Sequence, residues 1–509
     1  LETLPLLEGY WRNSPASLDI RSCGDRASDE PGCRGGAGEP CKNWLAGPLC
    51  TQCNVSSGRF YDADRFECSE CSTGSVATPL GVAAAIIAGL VLLPVLWTAF
   101  QVPKRLGLLP RWHRVKPILL GLSLKAKLKL LTSFYQIATS LQVVYDVQFP
   151  SRVAEILEKI SDLVTLNFDE LWKPLQCLDL RGYYDQLLVL VLGPLLLVLL
   201  TPFASGARIM CRRRRRRRSS AVGATLSSLV RDALAEALPM ALLVLFLAFP
   251  TVSRYAFLAF NCDEFDGAPL GPWHEREVNG SHHYMHVDLG IHCYTDEGGE
   301  RTLSPEYARI RGLAYVAIVL YPFGVPLVCG ALLFWCHKEL RAGRPESTLS
   351  VALSFLYKEY EVRLYWWELI VMSTKLVLVG FLSQLNQGSL MQAVVGLTAS
   401  LCFLLLHMSA QPFHQDGDDY LGTSTSFSIC VMMLAVVVLK VSVLREELSE
   451  FMTPELKDRY AFGEAALTGV MLSALFGSLA LSLAIVARKT VEATKQGRLA
   501  QESEETLRE

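Results

Sequence analysis

Nine runs of predominantly apolar residues follow Pro79, each long enough to cross a bilayer, and nothing else in the chain restricts its fold as severely. A hydrocarbon core needs roughly 20 residues as helix, and only segments that satisfy their own backbone hydrogen bonds persist there. The runs cover about 79–100, 118–148, 184–204, 232–252, 308–336, 366–385, 387–408, 421–443 and 462–487. The expected fold is therefore an all-α polytopic membrane body over 79–487, preceded by residues 1–78 of different character and followed by a tail, 488–509. Composition alone would not have chosen this, since 51% hydrophobic and 19% charged residues lie close to soluble averages. The mean hydropathy of +0.29 tips the balance. The second run is the weakest. Its stretch from Leu130 to Val147 carries Thr132, Ser133, Gln136, Thr139, Ser140, Gln142 and Asp146, so an interfacial helix is its alternative reading.

Residues 1–78 hold seven of the fifteen cysteines in a Gly-, Asp- and Arg-rich stretch too polar to build its own core. Disulfides replace a missing core in such segments. The spacing Cys50-X2-Cys53-X14-Cys68-X2-Cys71 also fits a zinc ribbon. Connectivity cannot be read from spacing. No basic region followed by a short apolar core stands at Leu1, so the expectation is a removed signal peptide or further chain upstream.

Lys/Arg bias in the short loops sets orientation. Lys104, Arg105, Arg111, Arg114 and Lys116 follow the first run, and Arg208 with the run Arg212 to Arg218 follows the third, so both segments should be cytoplasmic. Nine crossings then put the N-terminus, 149–183, 253–307 and 444–461 outside and the tail inside. The sequons at Asn54 and Asn279 fall outside, as glycosylation requires. The outside cysteines become Cys23, Cys33, Cys41, Cys50, Cys53, Cys68, Cys71, Cys177, Cys262 and Cys293, an even set suited to an oxidising compartment, which disfavours zinc. Cys211, Cys329, Cys336, Cys402 and Cys430 are expected as thiols.

Charges and polar stripes inside spans are the candidate functional groups. Lys375 lies mid-span with Glu368 two helical turns before it on the same face, and Glu236 near a span end could reach either neighbourhood. A gate or ion pathway is one reading; a buried ion pair that fixes packing is the plainer one. Thr132, Gln136 and Thr139 recur at i, i+4 and i+7, giving either a polar pathway lining or interhelical hydrogen bonds. Pro322, Gly324 and Pro326 break the fifth run, exposing carbonyls to ions or merely kinking the helix. Arg212 to Arg218 attract anionic lipid headgroups or act only as an orientation signal. His274, His282, His283 and His286 with Asp288 enrich one outer loop, where a solvated cluster is the expectation and no metal is assigned. A net charge of -2 argues against nucleic-acid binding, and no catalytic motif, cofactor loop or nucleophile elbow is present in the sequence.

Gly9-Tyr10-Trp11-Arg12, Cys23, Cys33, Gly35-Gly36, Cys41 and Gly47-Pro48-Leu49-Cys50 with the paired cysteine motifs resemble an ephrin-receptor-like or EGF-like module, which in algal and protist surface proteins directly precedes a multi-pass body. The body resembles those proteins too. Its landmarks include Lys129 with Ser133-Phe134-Tyr135-Gln136, Asn167-Phe168-Asp169, Phe260-Asn261-Cys262, Tyr321 to Leu327, Trp366-Trp367-Glu368, Lys375 and Gln411-Pro412-Phe413. Such proteins are grouped with TRP-like channels, including the fungal TRP/flavin carriers, and are compared with polycystins. That resemblance implies a plasma-membrane glycoprotein that transports ions. A receptor or adhesion anchor, with an extracellular partner on the cysteine module, and a lipid or solute transporter are the alternatives; a homo-oligomer is compatible with each.

The orientation yields a direct check. Asn54 and Asn279 should carry glycans, whereas a sequon engineered beside Arg215 should stay bare; a glycan accepted there, read as an endoglycosidase-sensitive mass shift, would overturn the topology.

Overall fold

The computed structural model describes residues 5–13, 17, 19–23, 32–36, 40–42, 44–53, 59–62, 67–71, 81, 124–164, 172, 175–177, 180, 182–216, 226–265, 282–297, 300–344, 347–447 and 463–506. The first expected span apart from Gly81, both sequons at Asn54 and Asn279, and Arg217 and Arg218 lie outside them. Two compact units form. One comprises Leu1–Gly89, Asn167–Gly193 and Tyr255–Leu320, and the other Leu90–Leu166, Pro194–Arg254 and Tyr321–Glu509.

Among the described residues, seven helices are long and apolar enough to cross a membrane, and they correspond to the third to ninth expected runs: Tyr183–Met210, Leu229–Leu258, Pro305–Trp335, Trp367–Gln384, Leu390–Ala410, Asp416–Arg445 and Glu464–Glu492. We label the helices α1 (Leu124–Tyr145), α2 (Ser151–Val164), α3 (Tyr183–Arg216) and α4 (Leu226–Leu258). They continue as α5 (Pro305–Trp335), α6 (Trp367–Gln384), α7 (Leu390–Ala410), α8 (Asp416–Glu447) and α9 (Glu464–Thr506). Arg212 to Arg216 prolong α3 as helix.

Among the described residues the count is seven and not nine: the first expected run lies outside them apart from Gly81, and α1, the second, is not apolar enough to join the seven. It is helical but polar, and 12 of its 22 residues are buried against the rest of the protein, while Leu124, Leu128 and Val143 are exposed. Phe134, Ile137, Leu141 and Val144 of α1 pack with Val153 and Leu157 of α2, Leu378 and Leu382 of α6, Ala393 of α7, Met432, Met433 and Val436 of α8, and Met471 and Leu475 of α9. Gly396 lets α7 approach, because a Cβ there would run into Tyr145 and Met433. The amphipathic α2, in a segment expected as a loop, buries Val153 and Leu157 while Glu155, Glu158 and Lys159 stay exposed.

The break at Pro322 and Gly324 takes the form of a π-helical stretch, Val319–Gly324, and Pro326 opens the α-helix that follows. A second break was not foreseen. In α6, Leu376–Gly380 is π-helical and Phe381–Gln384 tightens to a 3-10 turn.

The unit holding the cysteine-rich stretch is built from short antiparallel strands. They are β1 (Tyr10–Arg12) with β2 (Ile20–Ser22), β3 (Leu45–Ala46) with β4 (Gln52–Cys53), and β5 (Arg59–Asp62) with β6 (Glu67–Glu70). The outer loop expected at 253–307 is also β-rich: β7 (Cys262–Phe265), β8 (His282–Met285) and β9 (Asp288–His292) make one sheet, followed by the hairpin β10 (Tyr294–Glu297) and β11 (Glu300–Leu303). Five disulfides pair the ten cysteines expected outside, as Cys23–Cys33, Cys41–Cys50, Cys53–Cys68, Cys71–Cys177 and Cys262–Cys293. The four cysteines of the ribbon-like spacing thus enter three different disulfides. Sulfur atoms of Cys23, Cys33 and Cys50 join Trp11, Phe265, Tyr284 and Leu289 in a small core, with the Trp11 ring 5.7 Å edge-on to Phe265.

Non-reducing peptide mapping should recover these five pairs, and a Cys68–Cys71 pair would contradict the connectivity. Replacing Cys262 and Cys293, 31 residues apart, with serine should cost about 3–4 kcal/mol of stability by releasing a closed loop.

Candidate functional site

The polar residues of α1 form one side of a buried cluster inside the helical unit. Lys127 is 1% exposed and ion-pairs with Asp418 in the first turn of α8. Two residues on, Lys129 ion-pairs with Glu368 of α6, donates to the Phe355 carbonyl at 3.1 Å, and lies 4.7 Å from the centre of the Phe355 ring. The Tyr360 hydroxyl donates to the same Glu368 carboxylate at 2.8 Å. Burial, and then the neighbouring Glu368 charge, push the Tyr360 phenol well above its ordinary pKa, which keeps its proton available.

Lys375 is 1% exposed but does not ion-pair with Glu368. Its ammonium donates to Gln136 Oε1 at 2.8 Å and sits 4.3 Å over the Phe246 ring of α4. Gln136 Nε2 in turn reaches the Leu247 carbonyl at 3.4 Å. Glu236 belongs to neither neighbourhood: its carboxylate lies 3.8 Å from Arg208, which joins α4 to α3. The Thr132, Gln136, Thr139 stripe does not line a common face of water. Gln136 is buried, Thr132 and Thr139 are half-buried, and Thr139 Oγ1 donates back to the Tyr135 carbonyl at 2.8 Å.

Carbonyls released by the break in α6 are answered by side chains that sequence reasoning passed over. Tyr145 donates to Leu378 O at 3.2 Å, and Gln392 Nε2 bridges Val144 O at 2.8 Å and Leu382 O at 2.9 Å. Asp418 and His407 were missed as well. A helix face gives the direction of a side chain within its own helix, and no sequence signal named the opposing helix.

A cavity of about 70 Å³ adjoins this network. Apolar residues of α1, α6, α7 and α8 wall it, with Ser133, Thr374, Lys375, His407, Thr425 and Ser426 as its polar members.

In the other unit the histidine-rich loop is a sheet. His286 Nδ1 lies 2.8 Å from Asp263, and Asp288 accepts from Tyr183 N at 3.2 Å and Gly290 N at 3.1 Å, which ties β9 to the start of α3. The His282 and His292 rings lie 6.3 Å apart. Burial, followed by the charge of His282, lowers the His292 pKa. His274 is outside the described residues.

Among curated proteins, the chain is similar to cysteine repeat modular protein A of Toxoplasma gondii, at 20% identity over 211 residues, 40% of this chain. The chain spans about 6% of the length of that relative. No family model matches it, and no solved structure does. The disulfide-bonded region and the apolar helices together make this a multi-pass membrane protein with a cysteine-rich N-terminal region.

The buried pairs predict asymmetric mutant energetics. Asp418→Asn, which strands Lys127, should destabilise by about 3–5 kcal/mol, whereas Asp418→Leu combined with Lys127→Met should recover most of that loss. Denaturation of detergent-solubilised protein checks it, and an Asp418→Asn variant of unchanged stability would contradict a buried pair.

Proposed function

We propose that the chain is a cell-surface receptor or adhesion anchor of the plasma membrane, with its cysteine-rich unit outside for an extracellular partner and its tail in the cytoplasm. One observation carries the reading: the in-span groups suited to a pathway are engaged with one another. Lys129 and Tyr360 take Glu368, Gln136 takes Lys375, and Arg208 takes Glu236. A conducting lining would leave such groups to water. All ten disulfide-bonded cysteines fall on segments assigned outside from the Lys/Arg bias, which supports the orientation. Anionic headgroups around Arg212 to Arg218 would hold the cytoplasmic face, and the proposal includes no enzymatic chemistry and no nucleic acid.

Ion conduction, as in TRP-like channels, is the second reading, favoured by the charge of Lys375 beside a cavity. Current recording in planar bilayers separates the two. The anchor reading expects no unitary current, and expects Lys375→Met and Gln136→Leu to lower folded yield alone. Unitary currents whose ion preference changes with Lys375→Met would replace it with the channel, because a positive charge in a narrow passage repels cations.

A further inference from the structure

The outer sheet turns part of the histidine-rich stretch into a defined pair. Tyr284 of β8 stands directly opposite His292 of β9, and His282 lies two residues before Tyr284, so the three side chains share one face. The His282 and His292 rings are 6.3 Å apart, and the Tyr284 ring backs both, at 6.3 Å from His282 and 4.5 Å from His292. Tyr284 is buried, whereas both histidines are exposed. The neighbouring histidines do not join them. His286 is engaged by Asp263, and His283 projects from the opposite face of β8. Among the described residues, no hydrogen bond reaches the ring nitrogens of His282 or His292.

The scaffold under this pair is fixed. Cys293, next to His292, is disulfide-bonded to Cys262 of β7, and its backbone N–H donates to His283 O at 2.8 Å. Ser304 donates to the His292 carbonyl and caps α5 by accepting from Tyr307 N at 3.2 Å, which anchors the first turn of α5, with its exposed Glu306, to the end of β9. The charge of Glu306 is felt at His292. Burial, followed by the charge of His282, favours the neutral His292 imidazole, the form that offers a lone pair to a metal. An imidazole nitrogen binds zinc at roughly 2.0–2.1 Å, so two rings on one ion sit about 5–6 Å apart, centre to centre. A gap of 6.3 Å between exposed rings closes to that by small side-chain rotations, with the strands unmoved. Imidazole ligands select zinc or copper over calcium or magnesium.

We propose that His282 and His292 form a surface site for one divalent transition-metal ion of the zinc class, with Glu306 and water completing its shell. The ion would tie β8 and β9 to the entry of α5. The site holds equally under the anchor and the channel readings.

The test is isothermal titration of zinc chloride into the purified, tag-free full chain in detergent, stripped beforehand with a chelator that is then removed. One saturable site per chain is expected. His282→Ala and His292→Ala should each weaken it by at least about tenfold, since losing even a ligand's supporting partner costs that much. His283→Ala, on the opposite face, should leave it unchanged. Absence of saturable binding, or binding undiminished in His282→Ala and His292→Ala, would overturn the proposal, as would an equal loss in His283→Ala. If a variant does not fold, X-ray absorption at the zinc edge of the wild-type complex decides: two imidazoles with oxygen ligands support the site, and sulfur ligands or any other number of imidazoles reject it.

Discussion

A lysine buried in a helical bundle must find an anion or a well-placed dipole, and the helical unit is arranged around meeting that demand for α1. Lys127 is answered by α8, Lys129 by the start of α6, and Gln136 by Lys375 further along α6. Tyr135 donates to Leu475 O of α9 at 2.9 Å, and Tyr145 reaches the π-helical stretch of α6. The central helix is thus the least lipid-compatible one. Its apolar residues supply close packing, while its polar residues choose which neighbours can pack. In lipid, where no hydrophobic force draws helix to helix, such bonds and close packing hold a bundle together.

The contacts also order the helix ends. Lys127 at the beginning of α1 meets Asp418 at the beginning of α8, and Glu361 N donates to Pro412 O at 2.8 Å between the segments that precede α6 and follow α7. At the far end of α1, Gln387, just before α7, donates to Val143 O at 2.8 Å, and Lys440 of α8 donates to Asp146 O at 2.5 Å. α6, α7 and α8 therefore alternate in direction.

Much of this was legible in the sequence. Seven of the apolar runs became helices of membrane-spanning length, because hydropathy over about 20 residues is a strong local signal. The set of ten paired cysteines followed from orientation and parity. What escaped is non-local. Glu368 and Lys375 share a face of α6, which suggested a pair, yet their partners come from α1. The π-helical turn at Leu376–Gly380 lacks the prolines that advertised the one at Val319–Gly324; Tyr145 answers it, and Gln392 answers the 3-10 turn that follows, both from other helices. The β-strands of the outer loop escaped because strands of four or five residues in a polar, histidine-rich stretch carry little periodicity. There the disulfides, together with Trp11 and Phe265, replace the core that composition lacks.

The central claim is that the polar stripe of α1 faces protein. Single cysteines placed at Ser133, Gln136 and Ser140, compared with the parent chain, can be exposed to a membrane-impermeant thiol reagent added from each side of a sealed vesicle. Enclosure predicts no reaction above the parent at any of the three positions from either side. Rapid modification at all three, at rates typical of exposed thiols, would show a water-filled passage along α1 and contradict the account.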